Sequence, residues 1–169
     1  DSPEFCWKSK NIVLNDVNIE SEYGFLECEN LNIDKMLFKG KYAFQYVKEG
    51  KITNSRFKTK DAFWHASNLT IKDSVIDGEY LAWYSENITF ENCTIIGTQP
   101  LCYCKGLKLI NCKMIDCDLS FERSCVKAQV TGAIKSVKNP VSGTIEADTI
   151  GQIIFDMPTE CEIKVRDQK

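Results

Sequence analysis

The stretch at residues 68–97 decides the fold, and it reads NLTIKDSVIDGEYLAWYSENITFENCTIIG. Its second half repeats its first half with a shift of 19 residues. The matched positions are Leu69 and Ile88, Ile71 and Phe90, Ser74 and Cys93, Ile76 and Ile95, and Gly78 and Gly97. A fixed period near 20 residues is typical of a solenoid, in which each repeat buries its apolar side chains only by stacking on its neighbours.

The same period extends in both directions from this stretch. Successive coils begin at Asn11, Asn30, Glu49, Asn68, Asn87 and Gly106. The second and fourth positions of a coil are apolar except at Gly50, as are most residues at the seventh and ninth, and this alternation predicts two short strands. Asparagine or aspartate commonly separates them, which favours a tight corner because these residues tolerate left-handed backbone. A third strand is predicted at positions 13 to 18.

Three short strands in each coil predict an all-β protein, a single-stranded parallel β-helix of seven to eight coils. We expect it to be right-handed, because parallel crossovers are overwhelmingly right-handed. The predicted organisation is a partial first coil at 1–10 and six regular coils at 11–124. Irregular C-terminal coils follow at 125–157, and a closing strand and tail at 158–169.

The third strand presents one face to the core and one to solvent, and charge decides between them. One alternate set of its residues contains four carboxylates and the only histidine, and burial of unpaired charge is costly. We therefore place that set outside, and the set with Trp64 and Trp83 inside. The outward set carries a stripe of aromatic side chains, which is the candidate binding site. With the histidine, its members are Tyr42, Phe44, Tyr46, Phe63, His65, Tyr80, Tyr84 and Tyr103.

Composition excludes several classes of partner. The chain has 169 residues and a net charge of −3, and its basic residues form no stripe, so we expect no nucleic-acid partner. No run of about 18 apolar residues exists, so we expect no membrane span. The nine cysteines are odd in number, and several of them fall in columns also filled by serine, valine or alanine, which favours buried thiols and a reducing cytoplasm. Cys102 and Cys104 are too few to hold a metal alone, so no metal and no cofactor is predicted.

Two longer phrases resemble a known family. Residues 60–103, KDAFWHASNLTIKDSVIDGEYLAWYSENITFENCTIIGTQPLCY, are one, and residues 136–156, SVKNPVSGTIEADTIGQIIFD, are the other. Both resemble a family of uncharacterised bacterial proteins with a right-handed parallel β-helix. The resemblance implies this pectate-lyase-like superfold and a bacterial cytoplasmic setting, and it implies no catalytic residues. Members are generally longer, so the chain is expected to be a shortened relative or a fragment.

The superfold also hosts polysaccharide enzymes, but that analogy concerns the fold alone. Asp61 and His65 share the outward face, with Tyr46 and Tyr84 about 5 Å from His65 on adjacent coils. A general base is conceivable there, although a surface histidine stacked between tyrosines is the simpler interpretation. The sequence favours a non-enzymatic binding or scaffold solenoid whose aromatic stripe contacts a protein, most simply a second copy. The alternative is a carbohydrate-binding or polysaccharide-active protein that uses the same face.

Overall fold

The computed structural model describes residues 2–167, and it shows a parallel β-solenoid of about nine turns. The described residues contain no helix. From β1 to β11 adjacent coils pair in parallel with the 19-residue offset, so that Leu69 lies opposite Ile88 and Ile71 opposite Phe90. The offset shortens to 17 residues where Val126 lies opposite Gly143, and it is 18 where Ser142 lies opposite Glu160. The predicted all-β parallel solenoid is confirmed, and the expected seven to eight coils are corrected to about nine.

Strands that end at a corner of the coil are short, and strands that continue through a corner are long. They are β1 (Glu4–Phe5), β2 (Lys10–Gly24), β3 (Glu29–Lys41), β4 (Lys48–Thr53), β5 (Arg56–Lys58), β6 (Ser67–Lys72), β7 (Val75–Asp77), β8 (Glu86–Glu91), β9 (Thr94–Ile96), β10 (Leu107–Ile115), β11 (Cys125–Val130), β12 (Ala133–Lys138), β13 (Ser142–Ala147), β14 (Thr149–Ile154) and β15 (Glu160–Val165).

One sheet contains thirteen of these strands, and β12 pairs with β14 in a second sheet. Within the large sheet, β4, β6 and β8 carry the first strand of each coil, and β5, β7 and β9 carry the second. The long strands β3 and β10 join the two rows, because each runs through the corner that divides its neighbours. The interior between the rows is the hydrophobic core.

The corners between strands are held by polar ladders. Amide side chains donate to the residue one coil away: Asn30 to Asn11 at 2.7 Å, Asn87 to Asn68 at 3.3 Å, Asn92 to Asp73 at 3.2 Å and Asn111 to Asn92 at 2.9 Å. All of these residues have positive φ. Asparagine and aspartate adopt this left-handed backbone more readily than other non-glycine residues.

The third segment of each coil is a turn and not the predicted strand. In the coil at 42–47, φ is 46° at Tyr42, 60° at Phe44 and 57° at Tyr46. The Phe44 N–H donates to Gly24 in the preceding coil, whereas the Tyr46 N–H donates to Trp64 in the next coil. A segment with left-handed residues at every second position has no two-sided pleat, so the inward and outward sets predicted for it do not exist.

Within this segment, burial follows position and not parity. Phe44 and Phe63, expected outside, are fully buried in the core. They extend a stack in which the Phe25 and Phe44 ring centroids are 4.6 Å apart and those of Phe44 and Phe63 are 4.9 Å apart. The core ring Phe57 meets Phe44 edge to face at 5.7 Å. Trp64, expected inside, is only half-buried.

One coil departs from the 19-residue spacing that the sequence predicts through Ser124. The Tyr84 N–H donates to Cys102 in the next coil, but the Tyr103 N–H donates to Glu122, one residue further along than the period requires. The 19-residue offset holds at Met114, opposite Ile95, and returns where Val126 lies opposite Leu107. One residue is therefore inserted after β10. One is lost at the start of β11, between Cys125, whose N–H still donates one residue out of step to Cys104, and Val126.

We expect Phe63→Ala to lower the free energy of unfolding by about 3–5 kcal/mol, because it removes a buried ring from the stacked core. The control is Val13→Ala, since Val13 is 73% exposed and its truncation should change stability by less than about 0.5 kcal/mol. Denaturant unfolding measures both. Equal losses at the two positions would contradict the placement of Phe63 in the core.

Candidate functional site

Four rings stack in an exposed column, which we call the aromatic ladder: Tyr46, His65, Tyr84 and Tyr103. Successive centroids are 4.8, 5.0 and 4.8 Å apart, with interplanar angles of 3°, 8° and 13°. Each ring occupies the same position of its turn segment, so the spacing between coils sets the spacing of the rings. Tyr46 and Tyr84 are 48% and 44% exposed. The expected position of His65 between two tyrosines is confirmed.

Two tryptophans support the ladder from one side. The Trp64 and Trp83 rings are parallel, with centroids 5.4 Å apart and an interplanar angle of 2°. Trp83 meets Tyr84 at 6.3 Å and 76°, which is an edge-to-face contact. Their indole N–H groups donate to the carbonyls of Tyr80 and Gln99 at 2.7 Å. These bonds fix both indoles in a half-buried position beside the ladder.

The sequence placed these tryptophans in the core, and the structure corrects that placement. One feature of the sequence could have revealed the correct placement of the tryptophans. Trp7, Trp64 and Trp83 occupy the same coil position and so form one column. A buried indole needs an acceptor for its N–H. The Trp7 N–H meets this need in the same way, by donating to the Tyr23 carbonyl.

The remaining predicted site residues lie outside the ladder. Tyr80 is half-buried and contacts Trp83 edge to face at 5.5 Å. Tyr42 belongs to a neighbouring column, where it stacks on Tyr23 at 5.0 Å. Phe44 and Phe63 are core residues and cannot contact a partner.

Asp61 lies in the same column as Tyr42 and Tyr80, where its carboxylate replaces a ring. Only 8% of the residue is exposed, and in the part of the chain that the structure describes its carboxylate accepts no hydrogen bond. Burial raises the pKa of this carboxyl group, and the nearby Lys60 opposes the shift. Within the same residues no hydrogen bond joins Asp61 to His65, whose ring lies between those of Tyr46 and Tyr84.

Charged residues continue the ladder column at both ends. Lys8 and Glu27 lie beyond Tyr46 and form an ion pair of 3.9 Å. Arg123 lies beyond Tyr103, because the inserted residue shifts Glu122 out of this column. Glu122 pairs instead with Lys138 at 3.2 Å. The aromatic surface therefore has an acidic group directly next to one end and a basic group directly next to the other.

The geometry of the ladder determines which contacts it can make. Each inner ring has a neighbour about 5 Å away over both faces. The ring edges and the tyrosine hydroxyl groups are thus the parts available to a partner. Aromatic edges pack well against other rings and apolar side chains, and hydroxyls donate and accept hydrogen bonds.

The cysteines offer no metal site in residues 2–167. All nine are free thiols, and no group of three or more potential ligands is found among the described residues. Burial raises the pKa of Cys93, Cys102 and Cys117 to about 12, and the pKa of Cys104 and Cys161 to about 11. These groups remain protonated at neutral pH, which makes them poor nucleophiles and poor ligands.

Nor do the described residues include any helix with the length and hydropathy of a membrane span.

The fold and this surface define a parallel β-solenoid that carries an exposed aromatic ladder. The family model for DUF3737, a protein of unknown function, matches residues 1–166. The chain belongs to that family. No curated protein and no solved structure matches it.

We expect Asp61→Asn to raise the free energy of unfolding at neutral pH. A carboxyl group with a raised pKa costs stability once it ionises, so wild-type stability should fall as pH rises from about 3.9 through the folded-state pKa of Asp61. The variant lacks this decrease, and its advantage should vanish below about pH 3.9. Unfolding free energies measured between pH 3 and pH 8 test this. An identical pH profile for both proteins would contradict it.

Asp34→Asn is the control with the opposite sign. Hydrogen bonds from Asn54 and Thr53 lower the pKa of Asp34, so its charge stabilises the fold above about pH 3.9, and that stability is lost as pH falls through the folded-state pKa. Its replacement should therefore lower stability at neutral pH.

We expect thiol labelling of the native protein with iodoacetamide at pH 8 to be confined to the three half-buried cysteines, Cys6, Cys125 and Cys161, and to be slow at Cys161, where burial raises the pKa to about 11. The other six are buried, and burial both blocks access and raises the pKa of all six thiols. Mass spectrometry should show at most three modifications in the native protein and nine in urea. Rapid native labelling of Cys102 or Cys104 would show that this part of the core opens.

Proposed function

We propose that this chain is a non-enzymatic binding or scaffold protein that contacts another protein through the aromatic ladder and the tryptophans beside it. The simplest partner is a second copy of the chain. The observation that carries this proposal is the ladder itself, in which four stacked rings include two tyrosines that are nearly half exposed.

The composition of the surface supports a protein partner. Tyrosine, tryptophan and arginine are enriched in protein interfaces, and all three are found on or directly beside the ladder. The rings are also held rigidly by stacking and by the indole hydrogen bonds, so binding would order few side chains. At about 4.8 Å for each coil, the four rings span roughly 14 Å. A standard interface buries about 800 Å² on each partner, so neighbouring columns must contribute as well.

A sugar ligand is the competing proposal, and the orientation of the rings makes it less favourable. Sugar rings bind by stacking on open aromatic faces, whereas the inner faces of the ladder are covered by neighbouring rings. A glycan could use only the ring edges and the hydroxyl groups. Catalysis is also disfavoured, since His65 lies between two rings and, within residues 2–167, no hydrogen bond joins it to Asp61.

The setting of the protein is part of the same proposal. The nine free thiols support the reducing cytoplasm that the sequence predicts. The bacterial origin, the right-handed winding and the pectate-lyase-like superfold rest on the family resemblance and on general topology.

Measurement of molar mass in solution over a range of concentrations tests the function. We expect the wild type to form a dimer and Tyr84→Asp to be monomeric, because the substitution places a charge at the centre of the ladder. Aspartate tolerates the left-handed backbone at Tyr84, where φ is 59°, so the fold should persist. Circular dichroism and thermal unfolding verify that it does.

The matched control is Leu37→Asp. Leu37 is 54% exposed in β3, away from the ladder, and this variant should remain dimeric. A wild type that is monomeric at every concentration would contradict self-association. If such a monomer binds a component of a glycan panel and Tyr84→Asp abolishes that binding, the carbohydrate proposal is correct instead.

A further inference from the structure

We infer that the second copy lies antiparallel across the ladder, with Glu27 of each copy facing Arg123 of the other. This inference rests on the proposed function and adds to it the orientation, the register and the residues that select the partner.

The backbone places these two residues at equivalent ends of one column. The Glu27 N–H donates to Gln45 in the next coil, and the same bond at the same coil position runs from Tyr103 to Glu122. In each case the residue that follows the acceptor in the chain is the next member of the column. Tyr46 therefore comes after Glu27 in the column, and Arg123 comes after Tyr103. Glu27 is thus one coil before the first ladder ring and Arg123 is one coil after the last.

A twofold axis can place one ladder against another in two ways. In a parallel pair, Glu27 faces Glu27 and Arg123 faces Arg123, and juxtaposed like charges cost several kcal/mol. In an antiparallel pair, each Glu27 faces an Arg123. The same operation places Tyr46 against Tyr103, His65 against Tyr84 and Trp64 against Trp83. The ladder has an even number of rings, so its centre lies between His65 and Tyr84, and both ends meet without an offset.

The inserted residue creates this complementarity. An unbroken 19-residue period would place Glu122 in the column after Tyr103, and both ends of the ladder would then be acidic. The insertion moves Glu122 to the adjacent column, where Lys138 neutralises it at 3.2 Å. In its place stands Arg123, which is exposed and forms no ion pair within residues 2–167.

Glu27 is also available to a partner. Its ion pair with Lys8 is long, at 3.9 Å, and both side chains are more than half exposed. Exposed pairs of this kind contribute little to stability, so exchanging Lys8 for an arginine on another copy costs little. Arginine in addition offers a carboxylate two parallel hydrogen bonds.

Charge reversal followed by mixing tests the arrangement. We expect Glu27→Arg alone and Arg123→Glu alone each to weaken the dimer at least tenfold, because each creates two like-charge contacts. The double variant, with both charges exchanged, should dimerise as the wild type does. An equimolar mixture of the two single variants should form a heterodimer, since both of its contacts then pair opposite charges. Analytical ultracentrifugation and native mass spectrometry measure these outcomes.

Glu20→Arg serves as the control, because Glu20 is exposed and pairs with Lys39 within its own copy at 2.8 Å. Its reversal should leave the dimer unchanged. Single variants that dimerise normally, or a mixture that yields no heterodimer, would overturn the antiparallel arrangement. If Tyr84→Asp still dissociates the wild-type dimer in that case, the proposed function stands and only the orientation is wrong. If the wild type does not dimerise at all, the antiparallel arrangement and self-association through the ladder fail together.

Discussion

The structure depends on backbone hydrogen bonds that join each coil to the next. The strands pair in parallel, with a 19-residue offset from β1 to β11, and the turn segments donate alternately to the coil before and the coil after. A given coil position therefore recurs at the spacing between strands, about 4.8 Å along the axis. This spacing is close to the distance at which aromatic rings stack, so a column of aromatic residues becomes a stack without further adjustment.

One backbone constraint thus produces two aromatic stacks with different roles. Phe44 and Phe63 point into the core, where edge contacts with Phe57 fill the interior. Tyr46 and Tyr84, two residues further along their segments, point out. The left-handed residues between the strands turn the chain so that, within one segment, one column of side chains lies in the core and another lies on the surface. The stability of the coil and the geometry of the surface consequently depend on the same six-residue turn.

The strands could be predicted from sequence because they alternate. Ile71 and Phe90 each have an apolar residue two positions before them in the chain. Among regular structures, an extended strand is the one that buries side chains spaced in this way. The turn segment could not be predicted in this way, since alternation of burial holds only for extended backbone. Phe44 and Tyr46 are both aromatic and lie two residues apart, so a strand pattern assigns them to the same face. Only the hydroxyl group of Tyr46 distinguishes them in the sequence. Tyr46, His65, Tyr84 and Tyr103 were placed on the surface correctly, whereas Trp64 and Trp83 were missed because a two-sided strand was assumed.

The left-handed corners also determine how the sequence can vary. Among residues 2–167, valine, isoleucine and threonine are absent from the non-glycine residues with positive φ, as expected from the crowding that a branched β-carbon meets there. A slip of one residue toward the C-terminus would place Ile88 in the corner that Asn87 now occupies. The corners therefore fix the register of the strands, because the left-handed residue at a corner, most often asparagine or aspartate, cannot exchange places with a branched residue of the strand beside it. The residue inserted after β10 leaves this register intact because another residue is lost at the start of β11, where Val126 again lies opposite Leu107.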